Sequence, residues 1–370
     1  MINVFEPDVS LRHYFQIYKA LKQKQLSGSS TIVKEFESNI SSYFDRKFCV
    51  SVSNGSSALD LALNCIDFKE GDEVVVPSFT IISCLSSIVR SGATPVFCDV
   101  DIKSWNMTLS NLMEAITDKT KAVLMVHTYG LTAEAELISE FCHNKGLVLI
   151  EDSAEAHGQT IGDKKCGSFG DISTLSFYAN KHVTTGEGGA VLTNNEIYFK
   201  KLKQMKNLDF ISNKRFQHNN FYWNYRMGGL QAAFGIQSLK NIDFTIQHKI
   251  NQASYYNILF SGYEKYLKIP VVEIDKIKNH YWVYGIVLDD SFDRDRITDS
   301  LYDKGIETRP FFWPLHDQPA YKSMFKKRFK LPNSEYLGKQ GFYIPLGKHL
   351  NKTKQKFVAS SVISELNLNS

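Results

Sequence analysis

Lys181 is the residue of this chain whose sequence surroundings most favour a role as a nucleophile. It lies just past a predicted buried strand and precedes the glycine-rich stretch Thr184–Gly189, with small polar residues around it. Enclosure lowers the pKa of a lysine amine, and the neutral amine attacks carbonyl groups. A surface lysine before a hairpin is the more common explanation of such a position. Lys181 is therefore a candidate nucleophile that needs support from other residues.

Acidic side chains close the predicted strand Leu147–Asp152. Glu151 and Asp152 end that strand and Glu155 follows it, at the sheet edge where sites of α/β proteins form. A carboxylate at this place could hold a proton on a ring nitrogen, ligate Mg²⁺ or cap the next turn. These possibilities remain open from the segment alone.

The segment Ser53–Leu59 joins a predicted strand to an amphipathic helix. Gly55 allows close backbone approach, and the free N–H groups of the first helical turn could hold a phosphate together with the hydroxyls of Ser56 and Ser57. An ordinary helix N-cap uses the same residue types. This segment by itself does not decide between a phosphate site and a simple helix start.

In combination, the three segments match what pyridoxal phosphate requires of a protein. Its phosphate is anchored at a helix terminus, its pyridine nitrogen is kept protonated by a carboxylate, and a lysine forms an imine with its aldehyde. The segments also follow one another in a fixed order, with Lys181 placed 29 residues after Asp152. This order favours a cofactor site over the structural explanation of each segment taken alone. The aromatic stretch Phe221–Met227 is more typical of a core or an interface, and His316 alone of a hydrogen-bonded structural histidine.

Short apolar strands that alternate with amphipathic helices, up to about residue 195, must position these side chains. The alternation predicts an α/β fold with a largely parallel sheet, and fully apolar strands indicate that both faces are covered. Ligands are then expected at the carboxyl ends of the strands. The predicted strands are Cys49–Val52, Glu73–Pro77, Pro95–Val100, Lys121–His127, Leu147–Asp152, Ile172–Tyr178 and Ala190–Thr193.

Helices flank this alternating region. The first is predicted over Asp8–Lys24, with an apolar stripe of Leu11, Tyr14, Phe15 and Tyr18. Beyond residue 226, two long helices (about 228–240 and 243–260), the strand Tyr281–Leu288 and two later helices indicate a smaller α+β unit. We therefore expect a large domain over residues 1–245 and a small domain over residues 246–370, with the long helix as hinge.

Composition narrows the functional classes. The chain of 370 residues is 43% hydrophobic, enough for a sizeable core, and its net charge of +4 is too small to suggest a nucleic-acid groove. Six irregularly spaced cysteines without a C-x-x-C pair predict buried free thiols, and we expect no metal site. The sequence shows neither a signal peptide nor an apolar run long enough for a membrane helix. We expect a cytoplasmic protein without membrane or nucleic-acid partners.

Six ordered blocks run over nearly the whole chain: Asn54–Leu59, Gly71–Ser78, Glu151–Ala156, Ser176–Gly189, Asn224–Met227 and Pro314–His316. These blocks resemble the DegT/DnrJ/EryC1/StrS family of sugar aminotransferases. The resemblance implies the aspartate-aminotransferase-like fold (PLP fold type I), in which a large α/β domain with a mostly parallel central sheet carries a smaller C-terminal α+β domain. It also implies a homodimer with shared active sites.

The resemblance assigns roles to individual residues. Lys181 would be the Schiff-base lysine and proton shuttle, Asp152 would pair with the pyridine nitrogen, and Glu155 would lie near the phenolic oxygen of the cofactor. The phosphate would be held by Gly55, Ser56, Ser57 and Ser176, and by Asn224 from the neighbouring subunit. The residues expected to border the substrate are Ile81, Glu187, Arg309 and His316.

The implied reaction is a ping-pong transamination. L-glutamate leaves its amine on the cofactor as pyridoxamine phosphate, and the amine then passes to a keto-sugar while Lys181 moves the proton. Some relatives have histidine at the lysine position and act as dehydratases, so Lys181 favours transamination. The stretches Lys164–Gly189 and Glu307–Phe312 look most like GDP-perosamine synthases, which aminate GDP-4-keto-6-deoxymannose for O-antigen and lipopolysaccharide biosynthesis.

Two differences leave the acceptor open. Ile81 stands where relatives generally have an aromatic residue for the cofactor ring, and Gln25–Ser29 replaces a tryptophan-containing segment. Both lie near the expected substrate mouth. The alternatives are another nucleotide-linked keto-sugar, a small phosphorylated ketone, a PLP-dependent dehydratase, or a sensor that binds cofactor or sugar nucleotide without turnover.

Overall fold

A computed structural model of the chain describes residues 1–210 and 214–368. Nine strands lie between residues 48 and 193 of this described chain. They are β1 (Phe48–Val52), β2 (Glu73–Pro77), β3 (Thr94–Cys98), β4 (Thr120–Val126), β5 (Val148–Asp152), β6 (Thr160–Ile161), β7 (Lys164–Lys165), β8 (Ile172–Ser176) and β9 (Gly189–Thr193).

Seven of these strands form the central sheet within the described residues, in the order β1-β9-β8-β5-β4-β2-β3. The pairs β3–β2, β2–β4, β4–β5 and β5–β8 are parallel. Only β9 runs antiparallel to its neighbours, which are β8 and β1. The predicted α/β class with a mostly parallel sheet is therefore confirmed, and each of the seven predicted strands corresponds to one of these within one or two residues at either end.

Helices of the described chain cover both faces of this sheet, and the later ones pack in the C-terminal region. The helices are α1 (Leu11–Lys22), α2 (Thr31–Tyr43), α3 (Gly55–Asn64), α4 (Ile82–Arg90), α5 (Leu109–Ala115), α6 (Ala135–Lys145), α7 (Glu196–Met205), α8 (Gly229–Lys240), α9 (Ile242–Leu259), α10 (Arg294–Asp303), α11 (Pro319–Met324), α12 (Pro332–Gln340) and α13 (Lys352–Leu368).

Strand β4 shows why an unbroken apolar run suits this position. Leu124 packs into the cluster built by α3 and α4, whereas Val123 and Met125 pack into the cluster of α5 and α6 on the opposite face. Successive side chains of a strand point to opposite faces, so a strand covered on both sides needs apolar residues throughout.

The C-terminal region has its own antiparallel sheet. Its strands are β10 (Leu267–Lys268), β13 (Tyr284–Leu288), β14 (Arg309–Pro310) and β15 (Gly341–Ile344), in the order β10-β13-β15-β14, beside a small hairpin of β11 (Glu273–Ile274) and β12 (Ile277–Lys278). A separate core of Tyr256, Phe260, Tyr284 and Phe342 lies behind this sheet.

Helix α9 crosses the predicted boundary at residue 245. Ile242 and Ile246 near its start belong to the core around β8 and β9, whereas Ala253 and Tyr256 belong to the C-terminal core. The first residues of the chain also lie against the C-terminal region, because Ile2 forms a bridge with Ile306. The division at residue 245 stays a prediction.

Helix α1 presents its apolar stripe outwards. Leu11 is 85% exposed and Phe15 66% exposed, and Tyr14 and Tyr18 are similarly open. The residues of α1 that are buried are His13 and Ala20, on the face that packs on α8. Helical periodicity correctly predicted the stripe, and the structure shows that the stripe is not part of this chain's own core.

All six cysteines are buried with free thiols, as predicted. Among the described residues, no helix combines the length and the hydropathy required to cross a bilayer.

Candidate active site

A cavity of about 350 Å³ opens where β4, β5 and β8 end. Val126, Asp152 and Ser176 close those three strands and line it. The carboxyl ends of parallel strands meet at one edge of a sheet, where α/β proteins bind ligands. A cavity thus lies at the sheet edge where the sequence predicts the site.

The start of α3 forms one end of this cavity. Asn54 caps the helix, because its side-chain oxygen accepts a hydrogen bond from the N–H of Ser57 at 2.8 Å. The first turn of a helix carries unpaired N–H donors and a partial positive charge. The hydroxyls of Ser56 and Ser176 lie beside this turn and line the cavity. The combination is a site for an anion such as a phosphate.

Gly55 permits the close contact between α3 and β8. A Cβ atom at this position would lie 2.7 Å from the Cβ of Ser176, closer than two carbon atoms approach without displacement. Ser56 is held in turn by a 2.7 Å hydrogen bond between its hydroxyl and that of Ser83 on α4. The cradle at the helix start therefore depends on glycine and on small hydroxyl side chains.

Asp152 lies buried on the floor of the cavity. One of its carboxylate oxygens accepts a hydrogen bond from the N–H of Ala154 at 3.0 Å, and the other is 3.7 Å from the thiol sulfur of Cys84. Burial raises the pKa of Asp152, although the Ala154 hydrogen bond and the charge of Lys181 act against it. A carboxylate in this state gains from a positive partner on the cavity side.

Lys181 and Glu155 form a pair on the wall of the cavity. The amine nitrogen of Lys181 lies 3.3 Å from a carboxylate oxygen of Glu155, and each side chain is 9% exposed. The other oxygen of Glu155 accepts a hydrogen bond from the N–H of Tyr129 at 3.0 Å. Burial lowers the pKa of Lys181, opposed by the charges of Glu155 and Asp152. Burial raises the pKa of Glu155 to about 7, opposed by Lys181 and by the Tyr129 N–H.

The structure brings most of the predicted site residues together. Eight of them line the one cavity: Gly55, Ser56, Ile81, Asp152, Glu155, Ser176, Lys181 and Glu187. They come from four separate segments of the chain, and the fold makes them neighbours. Their predicted roles toward cofactor and substrate remain predictions.

Four predicted residues lie elsewhere. The hydroxyl of Ser57 is 3.2 Å from that of Ser53 and does not line the cavity. Asn224 is exposed and forms a backbone bridge with Asn207, also away from the cavity. Arg309 is half-exposed on β14, where its guanidinium contacts Glu307 at 2.5 Å.

His316 has the surroundings of a structural histidine. It is 3% exposed, its Nδ1 lies 2.6 Å from the hydroxyl of Ser78, and its Nε2 lies 3.3 Å from a carboxylate oxygen of Glu335. It does not line the cavity. Both ring nitrogens thus lie near protein groups, and the role of His316 toward the substrate stays a prediction.

Three aromatic residues of the C-terminal region complete the cavity and were not predicted. They are Trp282, Phe312 and Tyr343. They come more than 100 residues after Lys181, so local spacing could not connect them with it. The available signal was that Trp282 falls inside the predicted strand Tyr281–Leu288, in a stretch otherwise apolar.

The donor set fits pyridoxal phosphate. An anion cradle, a buried acid and a buried amine lie along one cavity, and the side chain that carries the amine is only 9% exposed. These are the three groups that the phosphate, the pyridine nitrogen and the aldehyde need.

Comparisons with known proteins agree with this geometry. The model of the DegT/DnrJ/EryC1/StrS aminotransferase family matches residues 12–363. A GDP-perosamine synthase of Vibrio cholerae is 36% identical over 90% of this chain and 91% of its own length, and one of Escherichia coli O157:H7 is 34% identical over 98% and 97%. The crystal structure of the aminotransferase TlmJ from Streptoalloteichus hindustanus superposes with a TM-score of 0.93 at 27% identity, covering 100% of this chain and 99% of that one. The chain belongs to the DegT/DnrJ/EryC1/StrS family and is a PLP-dependent sugar aminotransferase.

Proposed function

We propose that this protein moves an amino group from L-glutamate to a nucleotide-linked keto-sugar, with GDP-4-keto-6-deoxymannose as acceptor and GDP-perosamine as product. The two relatives at 36% and 34% identity are named GDP-perosamine synthase, and they align with almost the entire chain. The product would serve surface polysaccharide biosynthesis, including O-antigen and lipopolysaccharide. The observation that carries the proposal is the buried Lys181 amine, which faces the anion cradle of α3 across a single cavity.

The residues that would hold pyridoxal phosphate are those of the cavity described above. The first turn of α3, with the hydroxyls of Ser56 and Ser176, would bind the phosphate. Asp152 would pair with the pyridine nitrogen, and Lys181 would hold the aldehyde covalently. When bound, the cofactor supplies an electron sink that stabilises negative charge on the carbon next to the transferred amine.

The side chains of the chain itself carry the proton movements. Lys181 is the base that removes and returns the proton at the substrate carbon, because a buried amine titrates closer to neutral pH than an exposed one. Glu155 lies 3.3 Å from the Lys181 amine and can exchange a proton with it. The low exposure of both side chains excludes bulk water, which strengthens the charge interactions between them.

We also propose a homodimer. The exposed stripe of α1 and the fully exposed Phe221 are large apolar surfaces of the kind that protein interfaces cover. Asn224 follows Phe221 closely in the chain and is itself exposed, so it can reach a site on a second copy. Mixed dimers of inactive Lys181→Ala and inactive Asn224→Ala chains should then recover part of the activity. Absence of recovery in verified mixed dimers would contradict shared sites.

The first experiment tests the cofactor. Purified protein should be yellow, with an absorption band at about 400–430 nm, and the band should disappear on addition of L-glutamate. In Lys181→Ala, glutamate should not bleach the absorption band, and no later return of the yellow colour should be seen. A Lys181→Ala protein that still aminates sugar would refute the role of this lysine.

The second experiment identifies the acceptor. Protein loaded with pyridoxamine phosphate is incubated with GDP-, dTDP- and UDP-linked keto-sugars, and the products are identified by mass spectrometry. An amino sugar formed from the GDP-linked substrate supports the proposal, and one formed from another nucleotide corrects the acceptor. Consumption of keto-sugar without incorporation of nitrogen indicates a dehydratase, and binding without any half-reaction indicates a sensor.

A further inference from the structure

Trp282 lies against the amine of Lys181. The Nζ atom of Lys181 is 3.7 Å from the centroid of the indole ring, and Trp282 is 5% exposed. The indole Nε1 donates a hydrogen bond to the backbone oxygen of Asn180 at 3.0 Å. One side chain therefore holds the backbone next to Lys181 by its edge and the amine by its face.

The backbone at Trp282 is fixed by several independent contacts. Its carbonyl oxygen accepts a hydrogen bond from the Lys249 amine at 2.7 Å. The preceding segment packs on Gly130, which has a φ of 97° and whose added Cβ would lie 2.8 Å from the nitrogen of Tyr281. The ring itself stacks on Tyr129, with centroids 5.8 Å apart and planes inclined by 30°. The indole thus has little freedom to leave the amine.

The contact between the Lys249 amine and the Trp282 carbonyl costs free energy, because it buries the amine. It is 8% exposed on α9, and among the described residues no carboxylate forms an ion pair with it. Burial and the charge of Lys181 lower the pKa of Lys249 to about 7. A buried amine with a backbone carbonyl as partner is unfavourable. Its position is explained if the carbonyl of Trp282 has to be held in place.

We infer that Trp282 is a positioning residue, contributed by the C-terminal region, whose indole face holds the Lys181 amine within reach of the Glu155 carboxylate. The face of an indole attracts a protonated amine more strongly than a neutral one. Trp282 therefore stabilises the protonated form of Lys181, the form that the lysine has after it takes a proton from substrate. This use of the amine rests on the proposed function, but the contact itself does not.

The charged groups around Lys181 define what a test must separate. Asp152 and Glu155 favour its protonated form, whereas His157 and Lys249 are the titratable neighbours on the other elements. Substitution of an uncharged residue such as Trp282 leaves all four in place. A change in the titration of Lys181 then reports the loss of the ring.

The experiment measures the pKa of Lys181 in cofactor-free protein by competitive acetylation at a series of pH values, with the modified peptide quantified by mass spectrometry. Trp282→Leu should lower the pKa of Lys181 by about 1, equivalent to about a tenfold larger neutral fraction below the pKa. Trp282→Phe keeps a ring and should lower it less. Trp105→Leu is the matched control, because Trp105 belongs to the same aromatic cluster but has no contact with Lys181.

A second arm works even if the leucine variant does not fold. Incorporation of 5-fluorotryptophan withdraws electron density from the ring with little change of size, and it should lower the pKa of Lys181 in the wild-type sequence but not in Trp282→Phe. An unchanged Lys181 pKa in folded Trp282→Leu, or an equal fluorine effect in both backgrounds, overturns the inference. Because no cofactor or sugar is present, this outcome is distinguishable from failure of the proposed function.

Discussion

Glu151 provides a demanding test of how the sheet beneath the site is stabilised. It precedes Asp152 in β5 and points to the opposite face, where it is fully buried. Its carboxylate is 3.0 Å from the Nε2 of His127. It also accepts hydrogen bonds from backbone N–H groups and hydroxyls of Ser153, Gly167, Phe169, Gly170 and Ser173.

The perturbation is Glu151→Gln, which keeps the shape and removes the charge. The amide of glutamine has one acceptor oxygen where the carboxylate has two. Its NH₂ group would therefore face N–H or O–H donors that had donated hydrogen bonds to the second carboxylate oxygen. Hydrogen bonds to a charged group contribute about 1.5–3 kcal/mol each, and the Glu151 carboxylate accepts several of them. We expect Glu151→Gln to lower the free energy of unfolding by about 3–5 kcal/mol.

The pKa of Glu151 leads independently to a similar magnitude. Burial alone would raise it, but the hydrogen bond and charge of His127 and the N–H donors of Gly167 and Gly170 lower it to about 2. Relative to an ordinary glutamate at 4.5, this depression corresponds to about 3 kcal/mol. Because the folded-state pKa is the lower one, this stability is present in full above about pH 4.5 and is lost as the pH falls towards 2.

The assay is urea denaturation of cofactor-free protein, followed by tryptophan fluorescence at pH 7 and at pH 3. The matched control is Asp152→Asn, the neighbouring acid on the cavity side. Asparagine can still accept the Ala154 hydrogen bond, and burial already raises the pKa of Asp152, so this change should cost less than about 1 kcal/mol. It should nevertheless abolish transamination. A Glu151→Gln effect below 1 kcal/mol at pH 7, or one that does not shrink at pH 3, would refute the reasoning.

Three further predictions concern the cavity. Gly55→Ala should weaken pyridoxal phosphate binding at least tenfold by equilibrium dialysis, because the new Cβ meets Ser176 at 2.7 Å; unchanged affinity would contradict the proposed cradle. Tyr129→Phe removes the hydroxyl that accepts the N–H of Phe312 at 3.1 Å, and it should lower the free energy of unfolding by about 1–3 kcal/mol in urea. Ile81→Tyr places an aromatic ring on the cavity wall and should strengthen cofactor binding by about twofold to tenfold, an effect that a position remote from the cofactor would not show.

The sequence predicted the central sheet and its active edge well, for a physical reason. Strands such as β4 and β5 are built around apolar runs, and parallel strands must end at a common edge. Asp152 ends a strand, and Gly55 and Lys181 follow strand ends, so their convergence could be expected from the sequence. The carboxyl ends of parallel strands lie at one edge of the sheet whatever the order of the strands. Local sequence is therefore enough to predict which residues lie at that edge.

What the sequence did not predict depends on long-range packing. The amine of Lys181 is enclosed by Trp282, which belongs to another sheet, and no local pattern relates the two. The periodicity of α1 indicated an apolar stripe containing Leu11 and Phe15, yet the pattern does not tell which face of a helix its own chain covers. The sequence likewise did not show that His316 is buried with its Nδ1 beside the hydroxyl of Ser78.

Helix α9 has a consequence for how substrate enters. It is a continuous helix of 18 residues, anchored at its start in one hydrophobic core and further along in another. A wide separation of the two regions would have to bend or unfold part of this helix. It would then break backbone hydrogen bonds of the helix or disrupt one of the two cores. We therefore expect the cleft between them to keep a nearly constant width, so that a bulky acceptor reaches Lys181 through the existing opening and is selected by its fit to that opening.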